Sequence, residues 1–214
     1  INLGEIPKNV YNIGSSDLDS VKIKNLPNLN LVKKRYNIKF KNYSILIWHP
    51  VTSEIKNLSQ DTQKLINFLK NQNEKFIVIY PNNDPGSEEI LKIYKKNKNK
   101  NFKIFPSLRF NYFITLLKNA KYIIGNSSCA IYEAPYFKIP SINIGTRQKK
   151  RFQSRSIFNL SIEDLDKNKI NRFLENYKPL TNNIFGKGDS YKKFLRILNK
   201  KKFWKINSQK TFNE

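Results

Sequence analysis

Short apolar runs alternate along this chain with amphipathic stretches of helical period, and that alternation constrains the fold more than any other feature. Apolar strands that are each followed by a helix do not close into hairpins. They build a parallel sheet with helices over both faces. Strands are read at Ser44 to Trp48, Phe76 to Tyr80, Phe102 to Phe105, Tyr122 to Ile124 and Ser141 to Ile144, with Val10 to Gly14 as a further strand. Helices are expected at Leu58 to Asn71, Ser87 to Lys98, Phe110 to Ala120, Cys129 to Phe137, Ile162 to Leu174 and Ser190 to Lys200. Ser87 stands as an N-cap with Glu88 and Glu89 in the first turn. The helix from Cys129 is expected to bend at Pro135, whose missing N–H breaks the ladder. Ser16 to Ile23 reads as one or two helical turns. The fold class is therefore α/β, a Rossmann-like three-layer domain with a parallel sheet. Residues 33–187 form that domain, 1–32 lead into it, and 188–214 are a C-terminal helix and basic tail.

A chain of 214 residues with 39% hydrophobic composition can build a core, which excludes a disordered tail. Its net charge of +24 raises nucleic acid or an anionic membrane as a partner. The excess is mostly Lys interleaved with Asn, as at Lys92 to Lys103 and Asn199 to Lys205, and it is spread along the whole chain. A nucleic-acid surface concentrates Arg and Lys on one face, so the runs are read as solvated helix faces produced by A- and T-rich codons. No stretch approaches a membrane helix and no signal peptide opens the chain, so a cytoplasmic protein without a membrane partner is expected. One cysteine, Cys129, excludes an internal disulfide, and one histidine, His49, excludes a His-rich metal centre. No metal and no cofactor are expected. The sequence holds no methionine and opens on Ile1-Asn2-Leu3-Gly4, which reads as a fragment whose N-terminal partner region is missing.

Ligands of an open parallel sheet bind beyond the carboxyl ends of its strands. Four polar loops fall there: His49-Pro50-Val51-Thr52, Pro81-Asn82-Asn83-Asp84, Gly125-Asn126-Ser127-Ser128 and Gly145-Thr146-Arg147-Gln148. Gly125 to Ser128 lies between a strand and a helix, where free N–H groups and two hydroxyls suit a phosphate; it is equally an ordinary turn with Ser128 as N-cap. Glu133, inside the following helix, is either a solvated residue or an acceptor for two ribose hydroxyls. His49 is either structural or the residue to which all histidine chemistry falls. Arg147 offers a planar fork for a phosphate. Cys129 has no paired base and is read as packing.

Taken together, His49-Pro50-Val51-Thr52, Pro81-Asn82 with Gly86-Ser87, GNSSCAIYE from Gly125 to Glu133 and INIGTRQ from Ile142 to Gln148 resemble the UDP-N-acetylglucosamine 2-epimerase family. The match is with its hydrolysing branch, which releases N-acetylmannosamine and UDP at the start of sialic acid synthesis. Non-hydrolysing relatives carry other phrases at the His49 and Gly145 loops. The likeness runs from Gly4-Glu5 to Phe185-Gly186-Lys187-Gly188-Asp189 and the last helix.

The resemblance implies two Rossmann-like domains facing across a cleft, the glycosyltransferase-B architecture, of which this chain resembles the second. It implies that Asn82, Ser127, Ser128, Glu133 and Arg147 hold UDP, with the diphosphate on the GNSS turn and the ribose on Glu133, and that uracil meets backbone near Leu108. His49 becomes the catalytic residue that stabilises departing UDP. The implied chemistry is elimination of UDP across carbons 1 and 2 of the sugar, then addition of water with inversion at carbon 2. The proton-moving carboxylates belong to the absent N-terminal domain, and the whole enzyme is expected to be a homo-oligomer. Ala130 and Tyr132 depart from the family's usual Gly and Arg. That keeps open a relative acting on a UDP-linked diacetamido sugar. A glycosyltransferase-B donor domain and, remotely, a basic nucleic-acid-binding protein are the other readings.

Overall fold

The computed structural model describes residues 6–21, 26–180 and 185–206. They fall into two compact units, one within Asn25–Asn182 and one made of the described parts of Ile1–Lys24 and Asn183–Glu214. Gly4-Glu5, where the likeness begins, and Ile23, the expected end of the first helical segment, lie outside the described residues.

The larger unit is built on six parallel strands: β1 (Ser44–Ile47), β2 (Phe76–Ile79), β3 (Phe102–Phe105), β4 (Ile123–Gly125), β5 (Ser141–Ile144) and β6 (Ile157–Leu160). Their order across the sheet is β3-β2-β1-β4-β5-β6. Chain direction therefore reverses its lateral progress between β1 and β4, and a crevice opens beyond their carboxyl ends. Helices α2 (Leu29–Arg35), α3 (Leu58–Lys70), α4 (Ser87–Lys96), α5 (Phe110–Lys118), α6 (Glu133–Tyr136) and α7 (Lys167–Glu175) cover the sheet. Alternate strand residues Leu46, Val78, Ile124 and Ile142 join Leu65, Ile66, Ile90 and Ile170 of α3, α4 and α7 in one apolar cluster. Ile45, Ile77 and Ile123 between them are also at most 1% exposed, so both faces of the sheet are buried. Each such side chain contributes about 1.5–3 kcal/mol.

The smaller unit joins the two ends of the chain. Asp19 of the single-turn helix α1 (Asp17–Ser20) accepts the Ser190 and Tyr191 N–H groups at 2.8 Å each. A carboxylate thereby caps the N-terminus of α8 (Ser190–Leu198). Ser15 N–H also donates to the Phe185 carbonyl at 2.6 Å.

Several local expectations need correction. Val10 to Gly14 is not a strand: a 3-10 turn at Pro7–Asn9 is followed by irregular chain. Ser87 is the first helical residue of α4 and Gly86 is its N-cap, at φ +95°. A β carbon there would stand 2.5 Å from Leu58 Cδ2, a side-chain end that can turn aside, so it is the left-handed backbone rather than space that favours glycine. The expected helix from Cys129 is split into a 3-10 turn at Ser128–Ala130 and the four-residue α6, with Ser127 rather than Ser128 at the cap position. Pro135 sits in the first turn of α6, where no N–H is needed, so it bends nothing. Ile162 to Asp166 is not helical; Asp166 caps α7 by accepting the Lys169 N–H at 2.8 Å. Strand β6, a stretch left without an assignment in the sequence, completes the sheet.

Candidate functional site

The site grows from the ends of the two strands that flank the crossover. The β1–β4 pairing stops at Ile47 and Gly125. Beyond it Asn126, fully buried, reaches across: its Oδ1 accepts the His49 N–H at 2.7 Å and its Nδ2 donates to the His49 carbonyl at 2.8 Å. Asn126 N–H donates to the Ile47 carbonyl at 3.1 Å. The Asn126 carbonyl in turn accepts Gln148 Nε2 at 3.0 Å and Arg147 Nη1 at 3.4 Å. One residue thus ties the loops after β1, β4 and β5 together.

The His49 ring is fixed from the β2 loop. Asn82 N–H donates to His49 Nδ1 at 3.0 Å, so the neutral ring carries its proton on Nε2. Burial, and after it the charge of Arg147, lower the His49 pKa to about 4 against a smaller opposing effect of the Asp84 charge. At neutral pH the ring is an uncharged donor. Asp84 accepts from Asn82 Nδ2, and its carboxylate lies 3.9 Å from Arg147 Nη2. That pair links the loops after β2 and β5.

Around these groups lies a cleft of about 410 Å³. Its walls bring together His49, Asn82, Leu108, Ser127 and Glu133, residues that the sequence spreads over 85 positions. Part of its lining is apolar, with Ile79, Pro106, Phe110 and Phe113 beside Leu108. Such an apolar side suits a flat ring, while the polar residues suit a group with acceptors and charge. Ser128 and Arg147 are not among the residues of the cleft wall. Ser128 opens the 3-10 turn next to it, and Arg147 is held by Asn126 and Asp84. The N–H groups of Ser127 and Ser128 have no backbone acceptor among the described residues, as is usual where a strand gives way to a helical turn. Glu133 begins α6 at the far side of the turn.

Cys129 is buried, donates to Ser127 Oγ at 3.1 Å, and has its thiol pushed up to about 12 by burial. It packs and does not react. Three residues of the network were not singled out in the sequence: Asn126, Asp84 and Gln148. Asn126 is signalled only by its place directly after a strand-ending glycine; Asp84 has no signal beyond lying in a turn.

The sequence model of the family described as UDP-N-acetylglucosamine 2-epimerase matches residues 1–199. Among curated proteins, the UDP-N-acetylglucosamine 2-epimerase of Neisseria meningitidis serogroup B is 38% identical over 216 residues, 99% of this chain and 57% of that protein. The GDP/UDP-N,N'-diacetylbacillosamine 2-epimerase (hydrolyzing) of Campylobacter jejuni is 36% identical over 171 residues, 78% of this chain and 44% of that protein. The chain spans about half the length of these curated relatives. Among solved structures, the Methanocaldococcus jannaschii UDP-GlcNAc 2-epimerase in complex with UDP-GlcNAc and UDP superposes with a TM-score of 0.70 at 23% identity, over 91% of this chain and 56% of that one. That likeness shows a shared α/β fold. With the family model matched over nearly all its residues, the chain belongs to the UDP-N-acetylglucosamine 2-epimerase family.

Proposed function

We propose that this chain is the UDP-binding half of a hydrolysing UDP-N-acetylglucosamine 2-epimerase, and that the cleft beyond β1 and β4 holds the nucleotide. The observation that carries the reading is the convergence of His49, Asn82, Leu108, Ser127 and Glu133 on one cleft at the crossover of the sheet. In this reading uracil lies on the apolar side by Leu108, Glu133 accepts the ribose hydroxyls, and the diphosphate meets the Ser127 and Ser128 amides. Arg147 then supplies positive charge to the diphosphate from behind the turn.

His49 stands on the diphosphate side of the sugar. As the bond from carbon 1 to the diphosphate breaks, negative charge grows on UDP, and an Nε2–H fixed beforehand stabilises it without reorganising. The ring gives up no charge of its own in doing so. The acids and bases that remove the proton from carbon 2 and deliver water would come from a second Rossmann-like half of the kind expected in the longer relatives. The whole enzyme is proposed to be a cytoplasmic homo-oligomer that releases N-acetylmannosamine for sialic acid synthesis.

The Campylobacter relative favours a second substrate, a UDP-linked diacetamido sugar. The two differ at the sugar, beyond the residues assigned here to UDP.

Two-dimensional NMR of the chain tests the nucleotide reading. UDP should move the amide peaks of Ser127, Ser128 and Cys129 and the residues around Leu108. Inorganic phosphate at the same concentration should move few of them. Shifts confined to lysine-rich helix faces and equal for both ligands would assign the chain to charge-driven anion binding instead.

A further inference from the structure

The proposed function uses the ring of His49 and leaves open what holds that residue in place. Asn126 is fully buried, and all its polar atoms are engaged at the junction of β1 and β4. Its carboxamide makes both bonds, 2.7 and 2.8 Å, that a continued strand would have offered to the main chain of His49. The main chain of His49 is therefore clamped at the point where regular pairing has ended. With its backbone fixed, the ring meets the Asn82 N–H through Nδ1 at 3.0 Å.

We propose that Asn126 is a positioning residue for His49: its side chain sets the backbone of residue 49 so that Asn82 N–H engages Nδ1 and the ring presents Nε2–H to the ligand. The inference rests on the reading of His49 as the donor to UDP. It goes beyond it by assigning the tautomer of that donor to a residue that contacts no ligand. The arrangement needs a carboxamide in particular. Aspartate would keep the acceptor for the His49 N–H but turn a second acceptor toward the His49 carbonyl. Alanine would leave both main-chain groups without these partners in a partly buried place. Gln148 and Arg147 hold the Asn126 backbone carbonyl, so either substitution leaves those bonds formally available.

His49 is the only histidine of the chain, so its imidazole nitrogens can be read without assignment ambiguity. Nitrogen-15 spectra correlating ring nitrogens with ring protons distinguish the two neutral tautomers directly. Wild type at neutral pH should show a single pattern with Nε2 protonated and Nδ1 bare. Asn126→Asp and Asn126→Ala, checked for an otherwise native amide spectrum, should lose it and show averaged nitrogens. A folded variant that keeps the wild-type pattern would overturn the proposal. If both variants unfold, wild type still decides: a mixed or Nδ1-protonated ring there overturns it, and a single Nε2-protonated ring that persists until the His49 main-chain amide exchanges supports it. UDP added to wild type separates this claim from the one beneath it. Unmoved His49 signals with a variant-sensitive tautomer would retire the nucleotide reading and leave the clamp standing.

Discussion

A β carbon on Gly125 would stand 2.0 Å from the carbonyl oxygen of Ile47. No rotamer relieves such a contact, because a β carbon is placed by its own backbone and the oxygen belongs to the main chain of the paired strand. Gly125 also sits at φ +130°, where side chains are strained. Gly125→Ala should therefore force β1 and β4 apart at the end that carries His49 and Asn126. The expected loss is about 2–4 kcal/mol of stability, from overpacking plus backbone strain. Urea unfolding measures it. A midpoint equal to wild type would show that the strand ends have room to move, and the rigid frame argued for His49 would fail with it.

Much of this architecture is legible in the sequence because parallel strands are buried on both faces. Phe102–Phe105 and Ser141–Ile144 appear in the structure with the bounds read from the apolar runs of the sequence. Strand β6 escaped because it lies at the sheet edge, where Asn159 is exposed and the run Ile157–Leu160 no longer reads as continuously apolar. Val10 to Gly14 failed in the opposite direction: its residues suit a strand, but propensity does not supply a neighbour to pair with. At the site, the loops were legible because each follows a strand. What joins them was not. An asparagine after a strand is ordinarily a turn residue, and only the three-dimensional meeting of β1 with β4 makes Asn126 a bridge. The Asp84–Arg147 pair spans 63 positions of sequence and leaves no local pattern.

The low pKa of His49 has a consequence for stability with a definite sign. In the unfolded chain the ring titrates near 6.5, and in the native one near 4. Between those values the unfolded state binds a proton that the native state excludes, so stability falls as pH drops from about 6.5 to about 4 and changes no further through this group below that. The groups that face the ring, Arg147, Asp84 and Glu133 across the cleft, remain in place in a His49→Gln variant. The effect should be roughly 1–3 kcal/mol, toward the lower end since the ring is only partly buried. Urea midpoints at pH 7 and pH 4.5 for both proteins isolate it: wild type should lose more on acidification than the variant. Parallel losses would mean that His49 titrates normally.

Glu133→Ala should weaken ribonucleotide binding by about 1–3 kcal/mol, since it removes the charged acceptor proposed for two ribose hydroxyls. Calorimetry with UDP and its 2′-deoxy analogue gives the sharper comparison. Wild type should prefer the ribonucleotide, and the variant should bind the two alike. A preference that survives the substitution would make Glu133 a residue of the α6 surface and move the ribose elsewhere in the cleft.

The roles proposed for His49 and for the UDP-binding residues separate in the kinetics of the complete enzyme. Ser127 and Ser128 would touch, and Arg147 would act from behind the turn on, a diphosphate that is charged before and after the bond breaks, so they stabilise ground and transition states to a similar degree. In its proposed role His49 would meet an oxygen whose charge rises only as UDP departs, and interactions that strengthen in the transition state are the ones that accelerate turnover. Its Nδ1 is occupied by Asn82 N–H and its main chain by Asn126, so Nε2–H is in position before the substrate reacts. His49→Ala should therefore lower kcat by on the order of 100-fold or more, while UDP affinity changes much less. Because the native ring is uncharged, the wild-type rate should show no loss across pH 6.5 that is traceable to this residue, whereas a protonated imidazolium donor would give one. Sugar release and UDP affinity measured on one preparation decide between the roles. Near-normal turnover with a much weaker UDP complex would make His49 a binding residue, and no change in either would make it structural.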